Sequence, residues 1–169
     1  MSHPLPPAEY YATLPKHIGG AGTILHDETG RILLVEPSYG DGRWEIPGGA
    51  MDAGEYPWDT AHREIKEELG LDLAPGRLLV VDWVPPQPDG RPALANYLFD
   101  GGTLTRADAE TRVHLAAGEL MAWHLAEPAE WDVLMAPHMA RRLRACANAL
   151  INGTTAYLHH GSDPATHRS

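Results

Sequence analysis

The stretch GGAMDAGEYPWDTAHREIKEELGL, residues 48–71, contains three glutamates within five positions: Glu64, Glu67 and Glu68. Pro57 suits the first turn of a helix and Gly70 suits its C-terminal end, so the sequence predicts a helix over residues 57–69. The three glutamates fall on one side of that helix, where like charges repel one another. Such a side is either a solvated surface or a place where cations bind.

The residue types around the cluster limit which cation could bind. Carboxylate oxygens suit Mg²⁺ or Mn²⁺ better than zinc, which prefers histidine and cysteine. His62 lies on the same predicted helix but points to a different side of it. The helix alone agrees equally well with a solvated surface and with a metal site. The spacing of residues over the longer stretch decides between these two interpretations.

The spacing around the glutamates resembles the Nudix box, Gly-x5-Glu-x7-Arg-Glu-U-x-Glu-Glu-x-Gly-U, in which U is a bulky aliphatic residue. The following residues match its fixed and aliphatic positions: Gly49, Glu55, Arg63, Glu64, Ile65, Glu67, Glu68, Gly70 and Leu71. The preceding WEIPGG and the order of the predicted strands are also similar, so most of residues 17–151 can be placed on that fold. The resemblance implies a Nudix hydrolase, which cleaves the pyrophosphate of a nucleoside diphosphate linked to another moiety.

The resemblance also implies roles for individual residues. One or more Mg²⁺ ions, with Mn²⁺ as a substitute, would be held by a set of four residues: Gly49 through its carbonyl, Glu64, Glu67 and Glu68. Glu55 and Arg63 would form an ion pair that sets the loop against the helix, and Glu55 as a metal ligand is the alternative. Gly48 would allow the loop a tight path, and Gly70 would end the helix in a left-handed conformation.

Several acids are candidates for the general base. In the family the base is sometimes a box glutamate, here Glu64 or Glu68, and sometimes an acid from a later loop. Glu119, which follows Ala-Ala-Gly and precedes an apolar strand, is our candidate for that later acid, and Glu110 is the second. An ordinary surface carboxylate is the competing interpretation for both.

Candidate substrate contacts lie outside the box. Aromatic rings stack on bases and sugars, and an arginine can bind phosphate. The residues of these types near the predicted cleft are Tyr39, Arg43, Trp44, Trp83 and Tyr97. A place in the core is the alternative for the aromatic residues, and a solvated surface is the alternative for Arg43. Three arginines of the last predicted helix are expected on its polar face or across the interface of a homodimer: Arg141, Arg142 and Arg144.

Composition predicts one globular domain, since 43% of the 169 residues are hydrophobic. We expect a mixed central sheet with flanking helices, an α/β/α sandwich of the α+β type, over residues 17–155. An irregular N-terminal arm is expected at 1–16 and a polar tail at 156–169. The main predicted elements are a hairpin within 19–35, strands at 77–84, 92–100 and 119–125, and a helix at 137–151.

The net charge of −10 argues against broad binding to nucleic acid or to anionic membranes, so a small-molecule nucleotide is the expected partner. The N-terminal residues lack a basic start and an apolar run, which predicts a cytoplasmic protein. Cys146 is the single cysteine and is expected to be a buried apolar residue. Two other functions stay open: a nucleotide-metabolite sensor without turnover, and an isomerase, which would need an active-site cysteine.

Overall fold

A computed structural model describes residues 5–167, in which a mixed sheet lies between helices. The strands are β1 (His17–His26), β2 (Ile32–Pro37), β3 (Gly48–Ala50), β4 (Leu78–Val84), β5 (Ala93–Thr103), β6 (Leu120–Ala126) and β7 (Ala156–His159). The helices are α1 (Pro7–Thr13), α2 (Pro57–Leu69), α3 (Arg106–Arg112), α4 (Trp131–Leu134) and α5 (Pro137–Asn152), followed by a 3₁₀ turn at Pro164–His167.

The sheet has the strand order β6-β2-β1-β5-β4-β7, and β3 pairs with β1 beside this path. β1 runs parallel to β5, and β4 runs parallel to β7. The other pairs are antiparallel. The expected mixed sheet is therefore confirmed, with β1 and β5 at its centre.

Each face of the sheet packs against its own helix. Successive strand residues point to opposite faces, so neighbouring apolar residues enter different cores. The core beneath α5 contains Ile24, Leu34, Leu143 and Cys146. The core beneath α2 contains Leu25, Leu33, Ile65 and Leu69. This arrangement confirms the expected sandwich of helices around a central sheet.

Both ends of the chain differ from the expectation. The arm predicted to be irregular contains α1, which has Pro7 in its first turn and no buried residue. Residues 156–159, predicted as part of a polar tail, form β7 and extend the sheet from β4. The outermost parts of both predictions, residues 1–4 and 168–169, lie outside the described residues.

Two further findings bear on function classes. Within residues 5–167 none of the helices combines the length and the apolar character that crossing a membrane requires. Cys146 is buried beneath α5, as expected, and burial raises the pKa of its thiol to about 12. A protonated thiol inside the core cannot serve as the active-site cysteine that an isomerase would need.

Candidate active site

The box helix and the glycine strand meet at β1. α2 begins at Pro57 and ends at Gly70, whose φ of 68° is left-handed, so both predicted ends are confirmed. β3 pairs antiparallel with β1, which brings Gly48 opposite Gly22 and Gly49 opposite Ala21. This pairing holds the two box glycines against the carboxylates of α2.

Close approach explains the glycine at position 48. Gly48 has a φ of 151°, and a Cβ atom there would collide with the backbone of Ala21 and Gly22. A Cβ atom on Gly49 would meet the carboxylate of Glu64, which would have to move aside. The loop therefore needs glycine at position 48 to pass β1, and glycine at position 49 leaves the Glu64 carboxylate where it is.

Arg63 organises the carboxylates of the box. Its guanidinium donates two parallel hydrogen bonds to Glu55, from Nε to Oε1 at 2.8 Å and from Nη2 to Oε2 at 3.0 Å. Nη1 donates to Glu64 Oε1 at 2.7 Å and to Glu67 Oε2 at 3.0 Å, and Nη2 also donates to the carbonyl of Ala50 at 3.1 Å. One cation thus holds three carboxylates and the end of β3 together.

Glu55 is fixed in this network rather than free to move. The Thr60 hydroxyl and the Asp52 amide also donate to its carboxylate, at 2.7 and 3.0 Å. The hydrogen bonds from Arg63, followed by that from Asp52, lower the pKa of Glu55 to about 2. The geometry favours the ion-pair role for Glu55, and its role as a metal ligand stays an untested alternative.

Glu68 lies in the opposite electrostatic situation. Its Oε2 accepts one hydrogen bond, from the amide of Gly48 at 2.8 Å. Burial raises the pKa of Glu68 to about 8, with further repulsion from Glu64, Glu45 and Glu119. Burial also raises the pKa of Glu64, partly offset by its bond to Arg63. Ionisation of Glu68 is therefore unfavourable in this place unless a cation lies beside it.

The donor set fits a hard divalent cation, although the side chains are engaged elsewhere. Among residues 5–167, no three His, Cys, Asp or Glu side chains stand ready to hold a metal ion as they lie. Arg63 engages Glu64 and Glu67, while the Gly48 amide engages Glu68. The available ligands are nevertheless carboxylate oxygens, and a cation would offset the cost of ionising Glu68 in a half-buried place.

The structure brings Glu119 but not Glu110 into this electrostatic neighbourhood. Glu119 follows the loop before β6, and its carbonyl accepts the amide of Ser38 at 2.8 Å, which ties that loop to the end of β2. It is among the charges that raise the pKa of Glu68. Glu110 instead lies on α3, in an exposed pair with Arg106 at 3.7 Å.

A cleft leads from the box to α5. A cavity of about 230 Å³ borders Gly48 and Gly49, and residues of β1, β5, α5 and the segment before β3 line the rest of it. A wider cavity of about 640 Å³ shares five of its residues: Glu45, Leu94, Asn96, Met139 and Arg142. The two cavities are therefore adjacent, and we call the pair the cleft, with Gly48 and Gly49 at one end.

Two of the five predicted substrate contacts line this cleft. Arg43 and Trp44 line the wider cavity, although Arg43 also pairs with Asp41 at 3.1 Å. Tyr39 lines neither cavity and is 68% exposed, and partial burial together with the carboxylates of Glu45 and Glu68 raises the pKa of its hydroxyl.

The other two predicted contacts lie on the opposite face of the sheet. Tyr97 packs with Ala61 and Phe99 beneath α2, and the Trp83 ring lies 5.1 Å from that of His17. In the pairing of β4 with β5, Trp83 faces Ala95, whereas the cleft residue Asn96 faces Asp82. Strand alternation thus turns both aromatic side chains away from the cleft.

A buried ion pair in the cleft wall was not predicted. Arg142 was expected on the polar face of the last helix, yet it is 5% exposed and donates from Nε to Asp82 Oδ2 at 2.7 Å. The other Asp82 oxygen accepts the amide of Gly161 at 3.0 Å. Two features of the sequence indicate that these charges are buried. Asp82 lies inside the apolar run LLVVDWV, and Arg142 lies at helical spacing from Met139 and Cys146.

The neighbouring arginines also find partners within the chain. Arg144 donates to both oxygens of Asp132, at 2.9 and 2.6 Å, and Arg141 donates to the carbonyl of His160 at 3.1 Å. The expectation that these residues pair across a homodimer therefore gains no support from the structure.

Comparisons with known proteins agree with this site. The NUDIX domain family model matches residues 16–146, which is more than half of the chain. The chain belongs to the Nudix family. The resemblance of the box, Gly49 to Leu71, is therefore confirmed by a match that extends well beyond it.

Individual Nudix relatives match over shorter segments. An ADP-ribose pyrophosphatase of Mycobacterium tuberculosis is 39% identical over 69 residues, which cover 38% of this chain and 33% of that protein. An RNA pyrophosphohydrolase of Psychrobacter cryohalolentis is 38% identical over 65 residues, covering 37% of each protein. The chain thus spans about a third of the length of each of these two relatives.

A solved structure confirms the Nudix fold. The NUDIX domain of Shewanella oneidensis NrtR, complexed with ADP ribose, superposes with a TM-score of 0.64. The match covers 86% of this chain and 99% of that chain at 15% sequence identity. At this identity the likeness supports the shared architecture, and the activity has to be argued from the site.

Proposed function

We propose that the protein is a Mg²⁺-dependent pyrophosphohydrolase that cleaves the pyrophosphate bond of a nucleoside diphosphate derivative or a nucleoside triphosphate. The observation that carries this proposal is the position of the box: Gly48 and Gly49, which contact the carboxylates of Glu68 and Glu64, line one end of a cleft large enough for a nucleotide. The names of the matched relatives, a pyrophosphatase and a pyrophosphohydrolase, agree with it.

The residues that would hold the metal are Glu64, Glu67, Glu68 and the carbonyl of Gly49. A bound Mg²⁺ or Mn²⁺ ion neutralises phosphate oxygens and lowers the pKa of a coordinated water. Arg63 contributes by holding the carboxylates of Glu64 and Glu67 close together through charge-assisted hydrogen bonds. Gly49 contributes by leaving room for Glu64 directly behind the loop.

Glu119 is the residue we propose as the general base, with Glu64 or Glu68 as the alternative. A general base has to be free to accept a proton and to lie within reach of the water it activates. Glu119 is exposed, lies in the electrostatic neighbourhood of Glu68, and is not committed to any side-chain ion pair among the described residues. Glu68 is less available as a base, since the amide of Gly48 already donates a hydrogen bond to its carboxylate.

The substrate we propose is a small nucleotide bound along the cleft. Trp44 and Arg43 line the wider cavity, so an aromatic stack and a phosphate contact are available there, and Tyr39 stays a further candidate. The net charge of −10 disfavours long polyanions such as RNA.

The test is a hydrolysis screen of the purified protein with Mg²⁺. The substrates are ADP-ribose, nucleotide sugars, dinucleoside polyphosphates and nucleoside triphosphates, and released phosphate or nucleotide is measured. We expect turnover of at least one class and its loss in EDTA. Tight metal-dependent binding without turnover of any class would replace the hydrolase with a nucleotide sensor.

A further inference from the structure

Ser38 makes two hydrogen bonds to one loop. Its hydroxyl donates to the carbonyl of Gly118 at 2.6 Å, and its amide donates to the carbonyl of Glu119 at 2.8 Å. The first carbonyl belongs to the peptide plane before the Cα atom of Glu119, and the second belongs to the plane after it. Because each peptide unit is planar and only the two dihedrals at a Cα atom turn freely, these bonds restrain both rotations at Glu119. They therefore set the direction in which its side chain leaves the backbone.

The strand register brings Ser38 to this place. β2 pairs antiparallel with β6, and the pairing shifts at Pro37, which faces Leu120. Ser38 comes next in the chain and lies opposite Glu119. Irregularities of this kind redirect side chains and are frequent beside active sites.

The other end of the loop is tied to the box helix. The amide of His114 donates to the carbonyl of Leu69 at 2.8 Å, and the amide of Ala116 donates to the carbonyl of Glu68 at 3.0 Å. The last carbonyls of a helix have no partner within the helix, so these bonds also complete the end of α2. The loop of residues 114–119 is thus held between α2 and Ser38.

The carboxylate that leaves this loop is not held in place by its own contacts. Glu119 is exposed, and its carboxylate makes no hydrogen bond or ion pair within the described part of the chain. It lies close enough to Glu68 for its charge to raise the pKa of that residue. Small displacements of a catalytic group lower the rate, so a side chain without contacts of its own depends on its backbone for direction.

We infer that Ser38 is a positioning residue, whose two hydrogen bonds keep the Glu119 carboxylate within reach of the water that it would activate. This inference rests on the proposed function, in which Glu119 is the general base. Ser38 acts through Glu119 and touches neither substrate nor metal in this role. Its hydroxyl is the part of the arrangement that a substitution removes, because the other bonds come from the backbone.

The experiment begins with the kinetics of Ser38 variants. We would measure kcat and KM with Mg²⁺ and ADP-ribose, or with the substrate class that the screen shows to be turned over fastest. Ser38→Ala should lower kcat about three- to tenfold, as expected for one hydrogen bond, and should leave KM unchanged. Ser38→Thr keeps the hydroxyl and should restore most of the loss.

A double-mutant cycle shows whether Ser38 acts through the proposed base. In the Glu119→Gln background, Ser38→Ala should change kcat by less than about twofold, because no carboxylate is left to direct. A purely structural role would instead lower kcat by the same factor in both backgrounds. That result, or a wild-type kcat for Ser38→Ala, would overturn the inference.

Thr111→Ala is the matched control. It removes a similarly exposed hydroxyl on α3, which donates to the carbonyl of Ala107 at 2.9 Å, and it should keep the kcat of the wild type. Melting curves show whether each variant is folded. If Ser38→Ala is not, Ser38→Cys takes its place, since a thiol of similar size is a weaker donor.

Hydrogen exchange separates this inference from the proposed function, since it needs no turnover. The amide of Glu119 donates to the carbonyl of Ala116 at 3.2 Å, and its exchange should become at least about threefold faster in Ser38→Ala. Absence of hydrolysis together with this result would remove the hydrolase and keep Ser38 as the residue that directs Glu119. Unchanged exchange and unchanged kcat would remove the role of Ser38 while hydrolysis stands.

Discussion

The two ends of the cleft each contain an arginine, but the charges around those arginines differ. At the box, Arg63 contacts three carboxylates, and Glu68 lies beyond its reach with one amide as a partner. At α5, Arg142 contacts one carboxylate, Asp82, and both side chains are almost fully buried. The first end has more carboxylates than cations, whereas the second pairs one arginine with one carboxylate.

This difference separates two tasks. Surplus charge in a half-buried place is unfavourable on its own and becomes favourable when a cation arrives, so the box end is suited to metal-assisted chemistry. A balanced and dry ion pair needs no further ligand and holds its side chains in one geometry, which is costly to disturb. The α5 end is therefore suited to recognising a substrate by its shape, because its side chains keep a fixed geometry.

Removing a carboxylate from the box should have the largest effect. Glu67→Gln should lower Mg²⁺-supported kcat by about 10³-fold, since a metal ion supplies several kcal/mol of transition-state stabilisation. The fold should stay intact, because the Glu67 side chain is 59% exposed. Steady-state kinetics with a melting curve checks this, and Asp59→Asn on the same helix is the control. Undiminished turnover would show that the surplus charge holds no catalytic cation.

Breaking the balanced end should affect stability rather than chemistry. Arg142→Ala leaves Asp82 buried and unpaired, and it should lower the free energy of unfolding by about 3–5 kcal/mol. Arg144→Ala removes an exposed pair with Asp132 on the same helix and should cost less than about 1 kcal/mol. Urea denaturation measures both variants. Similar losses would show that the burial of the Asp82 pair makes no difference.

Replacing the proposed base should lower kcat less than removing a proposed metal ligand does. Glu119→Gln should lower kcat about 10²-fold, which is the lower range for general-base catalysis, while KM changes little. Glu110→Gln on α3 is the control and should behave as the wild type does. An unchanged kcat for Glu119→Gln would return the base to Glu64 or Glu68.

The box should also give the metal-free protein a dependence on pH. The pKa of Glu68 is raised from 4.5 to about 8, so its contribution to stability is complete below pH 4.5 and is lost as the pH rises to about 8. The pKa of Glu55 is lowered to about 2, so its contribution is present above pH 4.5 and is lost toward pH 2.

Melting temperatures in EDTA test this pH dependence. Between pH 4.5 and 8 the wild type should lose more stability than Glu68→Gln, and Mg²⁺ should reduce the loss at pH 8 because a cation favours the charged carboxylate. If the melting temperatures of the two proteins change equally with pH, burial of the Glu68 carboxylate does not affect stability.

Local signals allowed the box end to be predicted from sequence. Pro57 and Gly70 mark the ends of α2 because their backbone preferences act without help from distant residues. The fixed spacing of the box identifies its residues from the sequence alone. α3 also had a local signal, since Thr105 accepts a hydrogen bond from the amide of Asp108, but the short length of the helix hid it.

The α5 end depended on contacts between residues far apart in the chain. Asp82 and Arg142 are separated by 60 positions, and neither residue alone indicates its partner. Sequence patterns show which residues are unusual, whereas strand register shows what surrounds them.

The late strand β7 has a consequence for handling the protein. It pairs in parallel with β4 from Val80 to Trp83 and so covers what would otherwise be the outer strand of the sheet. A truncation at residue 155, the end of the domain predicted from sequence, would uncover the backbone hydrogen-bonding groups of β4. Exposed strand edges pair readily with other chains, so the shortened protein should aggregate where the full chain stays dispersed.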